Sequence, residues 1–336
     1  MIRVAINGFG RIGRIAFREM ITGRDFDIVA VNDLSNAEEL AYLLKYDTNH
    51  RSFHEDEISF DNDNIVIAGK KRVKVLSEAD PSKLPWEKLN IDVVLECSGR
   101  FTKYEDAYKH ITAGARHVVI SAPGKGDMKT IVYGVNDSIL DGSEEVISAA
   151  SCTTNCLAPV LDVIEKNIGI RKGYMSTVHA YTNDQATLDI HHSKGIMARR
   201  GRACAQNIVP ASTGAASAIE KVIPSLLGKM DGMAFRVPVS CGSVVDLTLE
   251  LDKNVSKEEL NDLLRNNQSE ALKVCEDPIV SSDVLGKKCG ALVDLLSTNV
   301  LETEAGNLVK VVAWYDNEMG YTAQMLRTAK ALMKEK

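Results

Sequence analysis

The sequence predicts a two-domain α/β chain: a doubly wound parallel sheet, followed by an α+β domain built on a mainly antiparallel sheet. Three observations carry that expectation. β-branched runs at 2–6, 28–31, 92–96 and 117–120 alternate with stretches of helical periodicity, the order of a parallel sheet with crossover helices. Near residue 243 the period changes, with Val245, Leu247, Leu249 and Leu251 on one face and Asp246, Thr248 and Glu250 on the other. That alternation belongs to an antiparallel sheet with one covered face. The length, 336 residues, suits two domains.

Composition narrows the class. The chain is 45% hydrophobic and 26% charged, with a mean hydropathy of −0.10, which excludes disorder and fibrous repeats. A net charge of −6 lacks the basic surplus of a dedicated nucleic-acid binder. The longest uncharged stretches, 146–161 and 203–219, are too short and too polar to span a bilayer. Seven scattered cysteines without a C-x-x-C pair, and an opening that lacks a signal peptide's apolar core, suggest a reduced cytoplasm.

The first strand, 2–6, runs into Asn7-Gly8-Phe9-Gly10-Arg11-Ile12-Gly13, after which Ile12, Ile15, Ala16 and Met20 recur at helical spacing. A second strand, 28–31, ends at Asn32-Asp33, twenty positions beyond Gly13. Strand, G-x-G-x-x-G, helix, strand and acid in register form a Rossmann dinucleotide-binding unit; a glycine-rich turn alone would not bring the other parts. Gly8 permits the tight turn, Gly10 admits a pyrophosphate to the backbone, and Gly13 lets helix pack on strand. The helix N-terminus offers unpaired N–H groups to the phosphates. Asp33 would bond the adenosine ribose hydroxyls and repel a 2′-phosphate. Strands 92–96 and 117–120 flank a helix near 103–112 and end in Cys97-Ser98-Gly99 and Ser121-Ala122-Pro123, loops placed to touch a cofactor. Residues 61–76 read as an antiparallel excursion turning at Gly69-Lys70. This dinucleotide-binding domain spans 1–150.

In the second half, Ser256-Lys257-Glu258-Glu259 is a capping box. A strand is expected at 309–315 and a terminal helix at 321–334. The junction Ser151-Cys152-Thr153-Thr154-Asn155-Cys156 precedes Leu157, Val160, Leu161 and Ile164 at helical spacing, so Cys152 falls at a helix start, where partial positive charge lowers a thiol's pKa. Cys156 is read as a packed residue, and Pro159 predicts a bend. His179, closing the apolar strand 174–178 before a polar loop, is the candidate base, with a structural histidine as the alternative. His191-His192 lacks the neighbouring ligands of a zinc site. Arg199-Arg200-Gly201-Arg202 is either a solvated basic loop or an anion or subunit contact.

Over its full length the chain resembles the phosphorylating glyceraldehyde-3-phosphate dehydrogenases. The resemblance rests on the glycine motif through Arg14, Glu96-Cys97-Ser98-Gly99-Arg100-Phe101, Ser151 through Pro159, and His179-Ala180-Tyr181-Thr182. It continues through Pro210 to Ala216, Phe235-Arg236-Val237-Pro238 and Trp314-Tyr315-Asp316-Asn317-Glu318. It implies oxidation of glyceraldehyde 3-phosphate to 1,3-bisphosphoglycerate, with NAD as cofactor and no metal. Cys152 would be the nucleophile and His179 its base. Thr182 and Arg236, with Arg200 helping, would hold the substrate's phosphate; Ser151, Thr153, Thr213 and Gly214 would bind inorganic phosphate. Gly8, Gly10, Arg11, Ile12, Gly13, Asp33, Ser98, Ser121, Asn317 and Tyr321 would bind NAD. The resemblance also implies a homotetramer, a catalytic domain at 151–317, and a C-terminal helix, about 318–336, that completes the cofactor domain.

Two departures stand out. Ile190-His191 replaces the family's frequent Leu-Pro, a position that helps to exclude NADP, and Pro238-Val239-Ser240-Cys241 replaces its usual Pro-Thr-Pro-Asn. The alternatives are an erythrose-4-phosphate dehydrogenase, an NADP-using gluconeogenic isoform, a semialdehyde dehydrogenase type of reductase, and a binding or scaffold protein. The Cys-Thr-Thr-Asn-Cys and Tyr-Asp-Asn-Glu blocks speak against the reductase.

Overall fold

The computed structural model describes residues 1–304 and 306–333. The chain forms two compact units. The first comprises 1–133, 137–150 and 325–336; the second comprises 134–136 and 151–324.

The first unit holds strands β1 (Ile2–Asn7), β2 (Phe26–Asn32), β3 (Ile58–Asp61), β4 (Asn64–Ile67), β5 (Lys71–Leu76), β6 (Val93–Glu96), β7 (His117–Ile120) and β8 (Val146–Ser148). Their order in one sheet is β3-β4-β5-β2-β1-β6-β7-β8, parallel from β5 to β8 and antiparallel from β3 to β5. The excursion is thus a three-stranded meander. Helices α1 (Arg11–Thr22), α2 (Ala37–Lys45), α3 (Trp86–Leu89), α4 (Tyr104–Ala107) and α5 (Lys109–Thr112) complete it. The single helix expected at 103–112 is two short ones, parted at Tyr108. Two buried clusters flank the sheet, one around Val4, Ile6 and Phe17, the other around Ala5, Val94 and Trp86. Alternate residues of β1 feed opposite clusters, as strand geometry demands.

The second unit holds α6 (Cys152–Asn167), β9 (Ile170–Ala180), β10 (Val209–Ser212), α7 (Ala215–Val222), β11 (Met230–Val237), β12 (Ser243–Leu251), α8 (Lys257–Asn266), β13 (Leu272–Cys275), β14 (Ala291–Asp294), β15 (Asn299–Thr303) and β16 (Gly306–Tyr315). The sheet order is β10-β11-β9-β12-β16-β14-β13, with β15 on β16; among the described residues only β11–β9 and β13–β14 run parallel. Val245, Leu247, Leu249 and Leu251 are buried, as their alternation requires. The Ser256–Glu259 capping box opens α8.

The expected terminal helix is α9 (Met319–Leu332); residues 334–336 lie outside the described residues. By contacts Gln324 belongs to the second unit and Met325 to the first. No described helix is long and apolar enough to cross a membrane.

Helix α6 runs unbroken through Pro159. An interior proline costs about 3 kcal/mol. Here Leu157, Ala158, Val160 and Leu161 are fully buried around it, and that packing holds the helix.

Candidate active site

The chain leaves β8 through Ala150, whose φ of 58° lies in the left-handed region, a cost of about 1 kcal/mol for an alanine. Ser151 then caps α6, its Oγ accepting from Thr154 N–H at 3.1 Å. Cys152 is therefore the first helical residue, with no acid in that turn. Strand register supplies its partners. Parallel pairing of β9 with β11 sets His179 beside Arg236, and antiparallel pairing of β12 with β16 sets Ser243 beside Tyr315.

Cys152 Sγ lies 3.3 Å from His179 Nε2. His179 Nδ1 is 2.7 Å from the Ala180 carbonyl and 2.8 Å from Arg236 Nη1. Nδ1 faces an acceptor in the carbonyl and a donor in the guanidinium; the tautomer that bonds Ala180 puts the hydrogen on Nδ1 and turns the Nε2 lone pair to the sulfur. The two Arg236 Nη1 hydrogens then go to Ala180 O at 2.9 Å and Thr182 Oγ1 at 3.2 Å. Arg236 Nε is buried without a partner among the described residues, which leaves it a donor for an anionic ligand.

Electrostatics modify the expectation of an acidic thiol. Burial pushes the Cys152 thiol above its ordinary range, while Arg236 and the Thr153 hydroxyl and N–H pull it down. Burial first, and then the Arg236 charge, holds His179 down to about 3. Both shifts favour the neutral thiol–imidazole pair over thiolate and imidazolium.

Other predicted residues fall around this core. Arg200 Nη1 pairs with Asp184 Oδ2, and Thr182 Oγ1 donates to Asp184 Oδ1 at 2.5 Å, so Asp184 joins both to the site. Thr153 Oγ1 is 2.9 Å from Tyr315 OH, itself 2.9 Å from Thr177 Oγ1; the Thr153 hydroxyl thus faces Tyr315. Asn317 Oδ1 accepts from Gly242 N–H at 3.1 Å and Ser243 Oγ at 2.9 Å, which leaves its NH2 to face a ligand. Ser243 Oγ also accepts from Ala180 N–H, tying Asn317 to the His179 strand. Tyr321 is buried in α9. Thr213 and Gly214 stand at the start of α7, which packs on α6, and no hydrogen bond joins them to Cys152. Cys156 is buried, as expected. Cys241 is buried too, its thiol donating to Asp316 Oδ1. Sequence reasoning missed Tyr315, Asp184 and Ser243. Only the strand pairings bring the first and last to the site, and Asp184 lies in a loop without periodicity.

In the first unit the glycine motif borders a cleft of about 300 Å³, lined by Gly8, Gly10, Asn32, Asp33, Cys97, Ser98 and neighbours. Gly8 has φ 92°, and a Cβ there would lie 2.5 Å from the Ser98 backbone. A Cβ on Gly10 would meet nothing within 4 Å, so this position is open to a ligand. A Cβ on Gly13 would lie 2.2 Å from the Gly8 carbonyl, the close helix–strand contact expected. Asp33 Oδ2 accepts from Phe9 N–H at 2.7 Å. Arg11 pairs with Asp47, and Ile12 packs on the core. Ser121 stands outside the lining; its N–H donates to the Glu96 carbonyl. An open backbone at a helix start, with an acid at the end of the second strand, fits a dinucleotide.

Comparison with known proteins decides the family. Residues 2–104 match "Glyceraldehyde 3-phosphate dehydrogenase, NAD binding domain", and 151–317 match "Glyceraldehyde 3-phosphate dehydrogenase, C-terminal domain". The chain belongs to the glyceraldehyde-3-phosphate dehydrogenase family. The dehydrogenase of Clostridium pasteurianum is 53% identical over 334 residues, covering 99% of both chains. That of Streptococcus pyogenes is 49% identical over 335 residues, again 99% of both. The cleft residues up to Phe101 lie in the NAD-binding match, and Cys152, His179, Arg236 and Asn317 lie in the C-terminal one.

Proposed function

We propose that this NAD-dependent glyceraldehyde-3-phosphate dehydrogenase works by covalent catalysis, with Cys152 as nucleophile and His179 as its base. The 3.3 Å contact from Sγ to the lone-pair nitrogen of His179 carries the reading. As sulfur bonds the aldehyde carbon, His179 Nε2 takes the thiol proton and passes it to the carbonyl oxygen. The same proton returns to Nε2 as hydride departs, leaving a thioester on Cys152. NAD, when bound, supplies the hydride acceptor. An oxygen of hydrogen phosphate then bonds the acyl carbon and releases its proton to water, the carbon–sulfur bond breaks, the departing thiolate recovers the proton held on His179 Nε2, and 1,3-bisphosphoglycerate leaves.

Arg236 has two tasks. With Thr182 and Arg200 it holds the substrate's own phosphate, fixing the reacting carbon by a remote handle. Its charge also lowers His179. A phosphate dianion on Arg236 offsets that charge, so substrate binding strengthens the base when it is needed. Ser151, Thr153, Thr213 and Gly214 are assigned to inorganic phosphate. Gly8, Gly10, Arg11, Ile12, Gly13, Asp33, Ser98 and Ser121 are assigned to the body of NAD, and the Asn317 amide and Tyr321 to its nicotinamide end.

A cytoplasmic homotetramer is part of the same reading. Leu188, Ile190, Ile196, Met197 and Ile208 are exposed within one short segment, apolar surface that a second copy would cover. The deciding test of the mechanism is Cys152→Ala. It should abolish NADH formation and leave NAD affinity intact; a few per cent of residual turnover would refute the nucleophile.

A further inference from the structure

The cofactor cleft rests on a buried polar ladder that the mechanism does not use. Asn32, Asn7 and Glu96 are the last residues of the adjacent strands β2, β1 and β6, and the register pairs Asn7 with both neighbours. Their side chains bond in a row: Asn32 Nδ2 to Asn7 Oδ1 at 2.7 Å, then Asn7 Nδ2 to Glu96 Oε2 at 2.5 Å. From the other side His110 Nε2 reaches the same Oε2 at 3.0 Å, and Trp86 Nε1 reaches His110 Nδ1 at 3.0 Å. Glu96 Oε1 takes the Ser98 N–H at 2.8 Å and the Ser98 hydroxyl. Glu96 and His110 are almost wholly buried.

The hydrogens have one consistent direction. A backbone N–H, that of Glu78, donates to Asn32 Oδ1, which fixes both amides to pass their hydrogens toward Glu96. An indole N–H only donates, so His110 Nδ1 accepts and its Nε2–H points at the carboxylate. All donors converge on Glu96, the one member that only accepts. Asn7, Asn32 and Ser98 line the cleft, and so does Phe101, which packs edge-on against His110.

We propose that Glu96 and His110 are the positioning residues of the NAD site: without touching the cofactor, they fix the three strand-end loops on which it lies. The proposal rests on the cleft being the NAD site. A buried carboxylate with four donors is a rigid joint. Loss of any donor lets the Ser98 loop or the Asn7–Gly8 corner relax, and NAD must then pay to order it.

The test is NAD affinity by calorimetry on the full chain. Glu96→Gln keeps the volume, yet its NH2 group must face a donor. It should raise the NAD Kd about ten-fold, the scale of one lost hydrogen bond to a charged group. His110→Leu should do the same. His110→Gln, whose amide nitrogen overlies Nε2, should recover most of the affinity. In kinetics the KM for NAD should rise, while kcat at saturating NAD and the KM for glyceraldehyde 3-phosphate stay near wild type. Unchanged NAD affinity in Glu96→Gln would overturn the proposal, and equal losses in His110→Leu and His110→Gln would do so too. If His110→Leu does not fold, Glu96→Gln and His110→Gln decide. An Asp33→Asn control separates the two levels. If it loses NAD affinity while Glu96→Gln does not, the ladder fails and the site stands. If NAD binding ignores Asp33 as well, the site itself fails.

Discussion

His179→Gln tests whether the base is held neutral. An unfolded histidine titrates near 6.5, and here the folded one titrates at about 3. Between those values the unfolded chain binds one proton more than the folded chain, so stability falls as the pH drops through the window. Integrated from neutral pH to pH 4.5, the loss for one such group is about 3 kcal/mol. Glutamine places an amide where Nε2 stood and does not titrate. Urea unfolding from pH 7.5 to 4.5 should therefore show the variant gaining on wild type by about 3 kcal/mol at the acid end and nothing at pH 7.5. Carboxylates elsewhere titrate alike in both proteins and cancel in the difference. A flat difference across the range would mean that His179 charges as freely in the fold as outside it. The neutral pair, and the mechanism in which sulfur and proton move together, would then be wrong.

Three other outcomes follow from single contacts. Gly13→Ala drives a Cβ to within 2.2 Å of the Gly8 carbonyl and should cost about 1–3 kcal/mol by thermal unfolding, with weaker NAD binding. Asp33→Asn keeps an acceptor for Phe9 N–H and removes the charge; its kcat/KM preference for NAD over NADP should fall at least about ten-fold, and unchanged discrimination would count against Asp33. Arg236→Gln should raise the KM for glyceraldehyde 3-phosphate by about a hundred-fold, and more than Arg200→Gln does, because only Arg236 contacts both Thr182 and the Ala180 carbonyl; equal effects would show that the two arginines share the load.

Where function follows from a local pattern, the sequence displayed it. Gly8, Gly10 and Gly13 each have a geometric reason read from spacing alone, and Ser151 caps the helix that Cys152 begins. The alternation of β12 named its buried face residue by residue. Long-range pairing was not legible. Tyr315 meets Thr153 and Thr177 across more than a hundred residues, and no periodicity announces that. At Cys152 a helix start pulls the thiol down locally, while burial, a property of the whole fold and invisible in the spacing, pushes it up. Pro159 shows a related balance: local propensity disfavours the helix there, and tertiary packing keeps it continuous. The break at Tyr108 has no local marker.

The discontinuity of the first unit bears on how the chain is made. Its main apolar cluster takes Val4, Ile6 and Phe17 from before the second unit in the sequence, and Met325, Leu326, Ala329 and Leu332 from after it. A ribosome delivers the glycine motif early, but the last wall of that core emerges only after the entire second unit has been synthesised. At ordinary elongation rates the gap is roughly ten to thirty seconds. Vectorial folding is thereby inverted: the catalytic unit can close first, and the nucleotide-binding unit, although begun earlier, must wait for α9 to leave the exit tunnel.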